Sequence, residues 1–248
     1  MNVIYILWLR QLKRYFRSKS RIIGSLGQSV LFLVALGFGM GPIFERAGQG
    51  NYINFLAPGV IAQAILFMAT FSGIELIWDK EFGFLKETLV APVSRLEIMI
   101  GRTLGGATIA TAQGIVVLIL TLLVGFRPIS FMLLPMTFLI MFLLSLFYTA
   151  LGTAIASVLT DFHGFQLIMN FLVMPSFFLS GALFPLDNVP VLIKNIARIN
   201  PLSYGVDALR QTLAGITNFG LTTDLFVLGI ITVILLVTGS YLFSKIEI

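Results

Sequence analysis

Apolar residues run along this chain in long blocks separated by short charged ones. The stretches from about Ile22 to Gly41, Ala57 to Trp78, Ile98 to Gly125, Ile129 to Leu159, Phe165 to Phe184 and Leu225 to Phe243 carry almost no charge. A helix needs about 20 mostly apolar residues to cross a hydrocarbon core roughly 30 Å thick, at about 1.5 Å per residue. The pattern therefore predicts an all-α membrane protein with six transmembrane helices. Pro58 and Gly59 stand at the mouth of the second block, where proline fits a first helical turn. Gly37, Gly39 and Gly41 thin the end of the first, and Gly101 and Gly105 open the third at a spacing that favours close helix packing. Pro175 removes a backbone hydrogen bond within the fifth block and predicts a kink.

Two segments break the pattern. Residues 1–21 are amphipathic at about 100° per residue: Ile4, Tyr5, Trp8, Leu12, Tyr15 and Phe16 share one side, and Arg10, Lys13, Arg14, Arg17 and Arg21 the other. A basic face opposite an aromatic one predicts an interfacial helix lying in the headgroup plane of an anionic leaflet. No A-x-A cleavage site follows it, so it is expected to stay attached. Residues 185–224 hold Pro185, Pro190 and Pro201 and a short apolar run, Val189 to Ile199, broken by Lys194 and Arg198. That mixture predicts a re-entrant or short-helix segment between spans five and six, since irregular backbone at membrane depth survives only against protein or water.

Composition agrees with lipid as the main solvent: 58% of the 248 residues are hydrophobic and 11% charged, and soluble domains carry about a quarter charged. Cysteine is absent and His163 is the sole histidine, which leaves no ordinary ligand set for zinc; no metal site is expected. No lysine follows a glycine, so no GxxxxGK[ST] phosphate loop exists and any ATP is expected on another chain. The net charge of +5 sits in short runs beside apolar blocks, as membrane topology requires, and is not read as a nucleic-acid surface. With the N-terminus inside, eleven basic residues (Arg10, Lys13, Arg14, Arg17, Lys19, Arg21, Lys80, Lys86, Arg95, Arg102, Lys245) fall on the inner side and five (Arg46, Arg127, Lys194, Arg198, Arg210) on the outer. The bias predicts both termini in the cytoplasm.

The polar residues inside the blocks are the candidates for chemistry. Glu75 stands one turn from Asp79 and is expected to snorkel or to meet basic residues of the N-terminal helix. Gln63, Gln113, Gln166 and Asn170 each need a hydrogen-bond partner or a water-lined cavity. Gln166 and Asn170 precede Pro175, Ser176, Phe177 and Phe178 on one span, which makes that region the candidate substrate path or gate, the two phenylalanines forming an apolar seal; bulk facing lipid is the plainer reading of them. Asp161 and His163 are read as cap or interface residues, because a catalytic triad needs a shaped pocket and an oxyanion hole. The chain is expected to have no catalytic residues of its own.

Four stretches then resemble the membrane subunits of ABC-2 type exporters, the permease family that includes polysaccharide, lipo-oligosaccharide and daunorubicin-type drug exporters. They are the basic amphipathic N-terminus, FLAPGVIAQAILF from Phe55 to Phe67, EFGFLKETLVAPVSRLEIMIGR from Glu81 to Arg102, and FFLSGALFPLDNVP leading to NPLSYGVDALR, which ends at Arg210. The resemblance implies a single transmembrane domain over 1–248 that moves a hydrophobic drug, lipid or lipid-linked glycan out of the cytoplasm or inner leaflet. It implies a homodimer in a prokaryotic inner membrane, and a separate ATPase subunit holding ATP and Mg, with no cofactor in this chain. It also implies that 79–95 carries a coupling helix, with Glu81, Gly83, Leu85, Glu87, Leu89, Pro92 and Ser94 in the matching positions. Local chemistry points to the same element: Gly83 permits a turn and Pro92 closes a helix from about Phe84 to Val90. On it Phe84, Leu85 and Leu89 offer apolar contact, and Glu81, Lys86 and Glu87 charge. A membrane scaffold that recruits a soluble partner without transport would use the same basic N-terminus and charged block. Ion-driven secondary transport fits less well, for want of midplane ionisable groups or inverted repeats.

Overall fold

The computed structural model describes residues 3–48, 50–90, 92–159, 161–186 and 189–246, and only the backbone of Ser20, Arg21, Lys86 and Leu89. Among the described residues all regular structure is helical: α1 (Val3–Arg17), α2 (Lys19–Arg46), α3 (Tyr52–Phe71), α4 (Ile74–Glu81), α5 (Phe84–Val90), α6 (Arg95–Val124), a 3-10 turn at Phe131–Leu133, α7 (Leu134–Val158), α8 (Phe162–Phe178), α9 (Val191–Ile199), α10 (Pro201–Ala214) and α11 (Leu221–Ser244).

The bundle is built around α3. Nearly every residue from Phe55 to Thr70 is buried, as expected for a helix apolar on all sides, and α2, α6, α7 and α10 pack around it. Its start differs from the expected one near Ala57. Asn51 accepts hydrogen bonds from the Ile53 and Asn54 N–H groups at 2.9 and 3.3 Å, so the helix begins at Tyr52 and Pro58 lies in its second turn. The side-chain cap, which a hydropathy boundary does not register, explains the shift.

Backbones approach closely where two glycines meet. A Cβ on Gly73 would strike the Gly152 carbonyl, and one on Gly152 the Thr70 carbonyl, which locks α7 across the junction of α3 and α4. Gly152→Val is expected to destabilise the fold by about 3 kcal/mol, the upper end of ordinary overpacking, because backbone cannot move aside as a side chain can. Thermal unfolding in detergent checks this; Gly229→Ala, where a Cβ meets nothing within 4 Å, should leave the midpoint unchanged. Of the three glycines thinning the first span, only Gly37 meets a neighbour, Ile53 of α3; Gly39 and Gly41 face open space and α2 continues through Pro42 to Arg46.

Among the described residues five helical segments are long and apolar enough to cross a membrane: Ile22–Arg46, Tyr52–Glu81, Arg95–Val124, Phe131–Val158 and Leu221–Ser244. The expected fifth span, Phe165 to Phe184, is instead the 17-residue α8, about 25 Å long at 1.5 Å per residue and short of a roughly 30 Å core. It ends three residues after Pro175 because the Ser180 N–H turns back to Phe177 and Gly181 takes φ +78°. The turn that follows nests against α3, where the absent Cβ of Gly59 admits the Ala182 backbone. The stretch between α8 and α11 holds two short helices: α9, with Val191, Leu192 and Ile199 exposed, and α10, almost wholly buried.

Arg102 and Arg210, assigned to loops by the charge pattern, are both buried within helices. Each is held by partners inside the fold, so neither reports on loop topology; the count becomes ten against four, with the same sign.

Candidate functional site

The segment between α4 and α6 is held at both ends by side chains that cap distant helices. Lys80, near the end of α4, donates through Nζ to the carbonyls of Ala156, Ser157 and Leu159 at 2.8, 2.8 and 3.0 Å. These belong to the last turn of α7, whose final carbonyls lack intrahelical partners and carry the negative end of the helix dipole. Arg95, the first residue of α6, donates in the same way to the Ser244 and Ile246 carbonyls at the end of α11. Residues 81–94 therefore hang between a pin to α7 and a pin to α11.

Within that segment Gly83 takes φ +78°, a left-handed turn that a side chain would strain, and α5 follows over Phe84–Val90. Ser94 and Glu97 form a reciprocal capping box that starts α6, each satisfying an N–H that the helix leaves unpaired. Glu81, Phe84, Glu87 and Pro92 are exposed, and so are Phe82 and Val90, which sequence reasoning did not select. Leu85 is the exception: it is buried, so it anchors α5 to its own chain rather than facing outward. The side chains of Lys86 and Leu89 lie outside the described residues.

The basic face of the N-terminal helix reaches the same place. Asp79, buried on α4, pairs with buried Arg102 of α6 and draws Arg10 and Arg14 of α1 to 3.5 and 3.6 Å; Arg14 also lies over the Trp78 ring at 5.8 Å. Glu75 does not snorkel. It is buried and lines a small cavity with Arg10, Arg14 and Arg102. Arg10, Lys13, Arg14 and Arg17 border an open cleft of about 640 Å³ whose other wall includes Phe82 and Phe84. The two regions singled out separately in the sequence thus form one surface.

The opposite side of α1 packs on α6. Gly101 admits Ile4 and Leu7, Gly105 admits Gln11, Trp8 Nε1 donates to Thr108 at 3.0 Å and the Tyr15 hydroxyl to Gln113 Oε1 at 2.9 Å. The contacts advance in the same direction along both helices, so α1 climbs along the membrane-length α6 instead of lying flat in the headgroup plane as its amphipathicity predicts, because its aromatic face packs on the glycines of α6, while Tyr5, Ile6 and Phe16 stay exposed.

On α8 the candidate gate residues divide. Gln166, Asn170, Pro175 and Phe178 are exposed, Ser176 is half-buried, and Phe177 is buried against Phe32 of α2, ring centroids 5.8 Å apart. Phe177 is therefore core, while two amides lie on an exposed helix face with Phe171. Asp161 accepts from the Gly164 N–H at 2.6 Å as the cap of α8, and His163 stacks edge-on to Phe162.

The far end of the bundle is fastened by the NPLSYGVDALR block. Asn200 caps α10 and donates to the Ser176 carbonyl of α8 at 2.6 Å. Arg210 donates to the Gly181 carbonyl at 2.9 Å and lies over the Phe55 ring at 4.0 Å. Burial pushes its guanidinium down to about 10, with Asp207 and Tyr52 pulling it back, so it remains a cation at neutral pH. Asp207 receives the backbone N–H groups of Asn218 and Phe219 and the Thr217 hydroxyl at 2.8–2.9 Å. These roles hold the loop before α11 in place. No group of three or more His, Cys, Asp or Glu fit for a metal ion occurs among the described residues.

Comparison with known proteins places this arrangement. The family model for the ABC-2 type transporter matches residues 2–214. Nodulation protein J of Rhizobium leguminosarum bv. viciae is 28% identical over 196 residues, covering 78% of this chain and 75% of the relative. The putative transport permease ycf38 of Porphyra purpurea is 30% identical over 198 residues, covering 79% and 68%, and that of Cyanophora paradoxa 28% over 210 residues, covering 84% and 72%.

Proposed function

The chain belongs to the ABC-2 type transporter family, and from that premise we propose that it is the permease subunit of an ATP-driven exporter. Two copies, docked on separate ATPase subunits that bind ATP and Mg, move a hydrophobic drug, lipid or lipid-linked glycan out of the cytoplasm or the inner leaflet of a prokaryotic inner membrane. The observation that carries this reading is α5. It is a short helix with Phe84 and Glu87 exposed, hung between side chains that grip the ends of α7 and α11. An element exposed to a partner and tied to two long helices is built to pass motion from one to the other.

In this arrangement both termini and α5 face the cytoplasm. The helix α1 starts at that interface and runs along α6, with Arg10 and Arg14 turned to Asp79 and Lys13 and Arg17 at the open cleft beside α5, where cationic side chains suit an anionic leaflet. The fifth of six crossings is made by α8 together with the turn beyond it that packs on α3 at Gly59, which supplies the length α8 lacks; the exposed Gln166 and Asn170 of α8 face water or the second copy, since lipid satisfies neither amide. The two helices α9 and α10 fill the extracytoplasmic side as a short-helix insertion.

Glu87→Arg tests the docking. The permease is purified with the ATPase subunit that co-purifies with it from its native membrane and reconstituted in liposomes. The expected outcome is a loss of permease-dependent ATP hydrolysis of tenfold or more with the permease still folded, because a like charge across a protein interface costs several kcal/mol. Hydrolysis at the unsubstituted rate would count against α5 as the docking element.

A further inference from the structure

Because α1 climbs along α6 instead of lying flat, its cations are not spread over a plane of headgroups but gathered at one place. Arg10, Lys13, Arg14 and Arg17 follow each other at i, i+3, i+4 and i+7, which puts them on one side of the helix. All four border the open cleft of about 640 Å³ between α1 and the segment that joins α4 to α5. Lys13 and Arg17 are exposed. The side chains of Arg10 and Arg14 lean toward Asp79 yet stay 43% and 40% exposed, so they too are open to a ligand.

Asp79 lines the cleft with them, and its closest cation is the buried Arg102. Four cationic side chains thus share a carboxylate that is already engaged, and the cleft carries surplus positive charge. That charge selects an anion. Arginine and lysine together suit a phosphate, arginine through paired donors and lysine as a point charge.

The rest of the lining is apolar. Ile6 and Leu9 continue the α1 wall, and Phe82 and Phe84 stand on the facing one; Ile6, Phe82 and Phe84 are exposed, Phe82 to 70%. A free anion covers none of that surface, whereas a phosphate that carries hydrocarbon satisfies both. The level in the membrane fits as well. Arg14 lies over the ring of Trp78, a residue type that marks the bilayer boundary, and Asp79 stands near the end of the membrane-length segment Tyr52–Glu81. Basic pockets beside helix ends at such a boundary hold anionic headgroups. The volume falls within the about 300–1,000 Å³ of sites that bind a small ligand.

We propose that this cleft is a discrete binding site for one anionic glycerophospholipid, its phosphate held by Lys13 and Arg17 with Arg10 and Arg14, and its chains against Ile6, Phe82 and Phe84. Touching both walls, the lipid is a structural ligand that braces the segment before α5 against α1. This goes beyond the permease reading, and binding is measurable without the ATPase.

The full chain in detergent is mixed with phosphatidylglycerol, phosphatidylethanolamine and phosphatidylcholine of identical acyl chains, and retained lipid is counted by native mass spectrometry. One phosphatidylglycerol per chain is expected to be retained in preference to the other two, and to raise the thermal midpoint, as a ligand of the folded state does. Lys13→Gln with Arg17→Gln should cut retention at least tenfold and abolish that rise. Without added lipid its midpoint should match the unsubstituted chain, because Asp79 is paired by Arg10, Arg14 and Arg102, and that separates lost binding from lost folding. Lys13→Arg with Arg17→Lys should keep the lipid, and Phe82→Ser should weaken its retention severalfold. Equal retention of the three lipids, no retention at all, or unchanged retention by Lys13→Gln with Arg17→Gln would overturn the proposal. So would an equal loss on Lys194→Gln with Arg198→Gln on α9, which would show diffuse attraction to any basic patch. Displacement by an equal concentration of inorganic phosphate would show a site for free anions instead, and displacement by the added ATPase subunit would show a seat for that protein. None of these failures touches the permease reading, which stands or falls on the ATPase response to Glu87→Arg.

Discussion

Asp79→Ala is expected to destabilise the protein by about 3–5 kcal/mol, the cost of removing one partner from a buried ion pair. Arg102 is only 5% exposed and its charge is met by Asp79; without that carboxylate the guanidinium is left desolvated beside Glu75 alone, with Arg10 and Arg14 adding like charge from α1. Thermal unfolding of the purified chain should show a large fall in midpoint. Trypsin should cut α1 at Arg10 and Lys13 well below that midpoint, because the arginines that tie α1 to α4 have lost their anchor. Asp79→Leu combined with Arg102→Met is expected to recover most of the loss, since apolar replacement of both members of a buried pair is often close to neutral. Recovery of the midpoint without recovery of protease resistance would separate the two jobs of Asp79: neutralising Arg102 and holding α1. An unchanged midpoint in Asp79→Ala would mean the cluster contributes nothing to the fold.

The cluster illustrates what the sequence discloses and what it does not. Hydropathy locates the long helices because lipid solvation imposes a minimum apolar length, and the helix at Phe84–Val90 lies between the glycine and proline that bound it in the sequence. The spacing of Gly101 and Gly105 marks a close contact, though not that α1 is what fills it. The basic face of α1 is legible from periodicity, yet its partner Asp79 is 69 residues from Arg10, and a pairing over that distance leaves no local pattern. Arg102 and Arg210 were counted as loop charges because charge at the edge of an apolar block reads as a boundary; burial with a carboxylate, or with carbonyls and an aromatic ring, is a tertiary solution that one-dimensional reading misses. The length of α8 escaped for a related reason. Apolar residues continue to Phe184, but the chain after Phe178 spends them on a turn packed against Gly59 instead of on more helix.

Lys80 and Arg95 are where the largest functional effect is expected. Both were legible only as inner-side charges, whereas each caps the end of a helix 76 to 151 residues away in sequence. Lys80→Met with Arg95→Met keeps similar apolar stems but removes the donors to the α7 and α11 carbonyls. Hydrogen bonds from charged donors contribute about 1.5–3 kcal/mol each, so the two helix ends should come loose from α5 while the core around α3 persists. If α5 receives the stroke of an ATPase, the double variant should still dock and still permit ATP hydrolysis at near the unsubstituted rate, because Phe84 and Glu87 are untouched. The stroke would no longer reach the bundle. A cysteine introduced by Asn170→Cys in this cysteine-free chain reads that directly: its maleimide labelling rate should change severalfold between the nucleotide-free and the ATP-and-vanadate states in the otherwise unsubstituted complex, and should not change in the double variant. A labelling change that survives loss of both pins would show that motion enters the bundle elsewhere, with α1 and its arginines the next route to sever. Hydrolysis lost together with the labelling change would instead make the pins part of docking, since a transmission element fails after the engine has turned, not before.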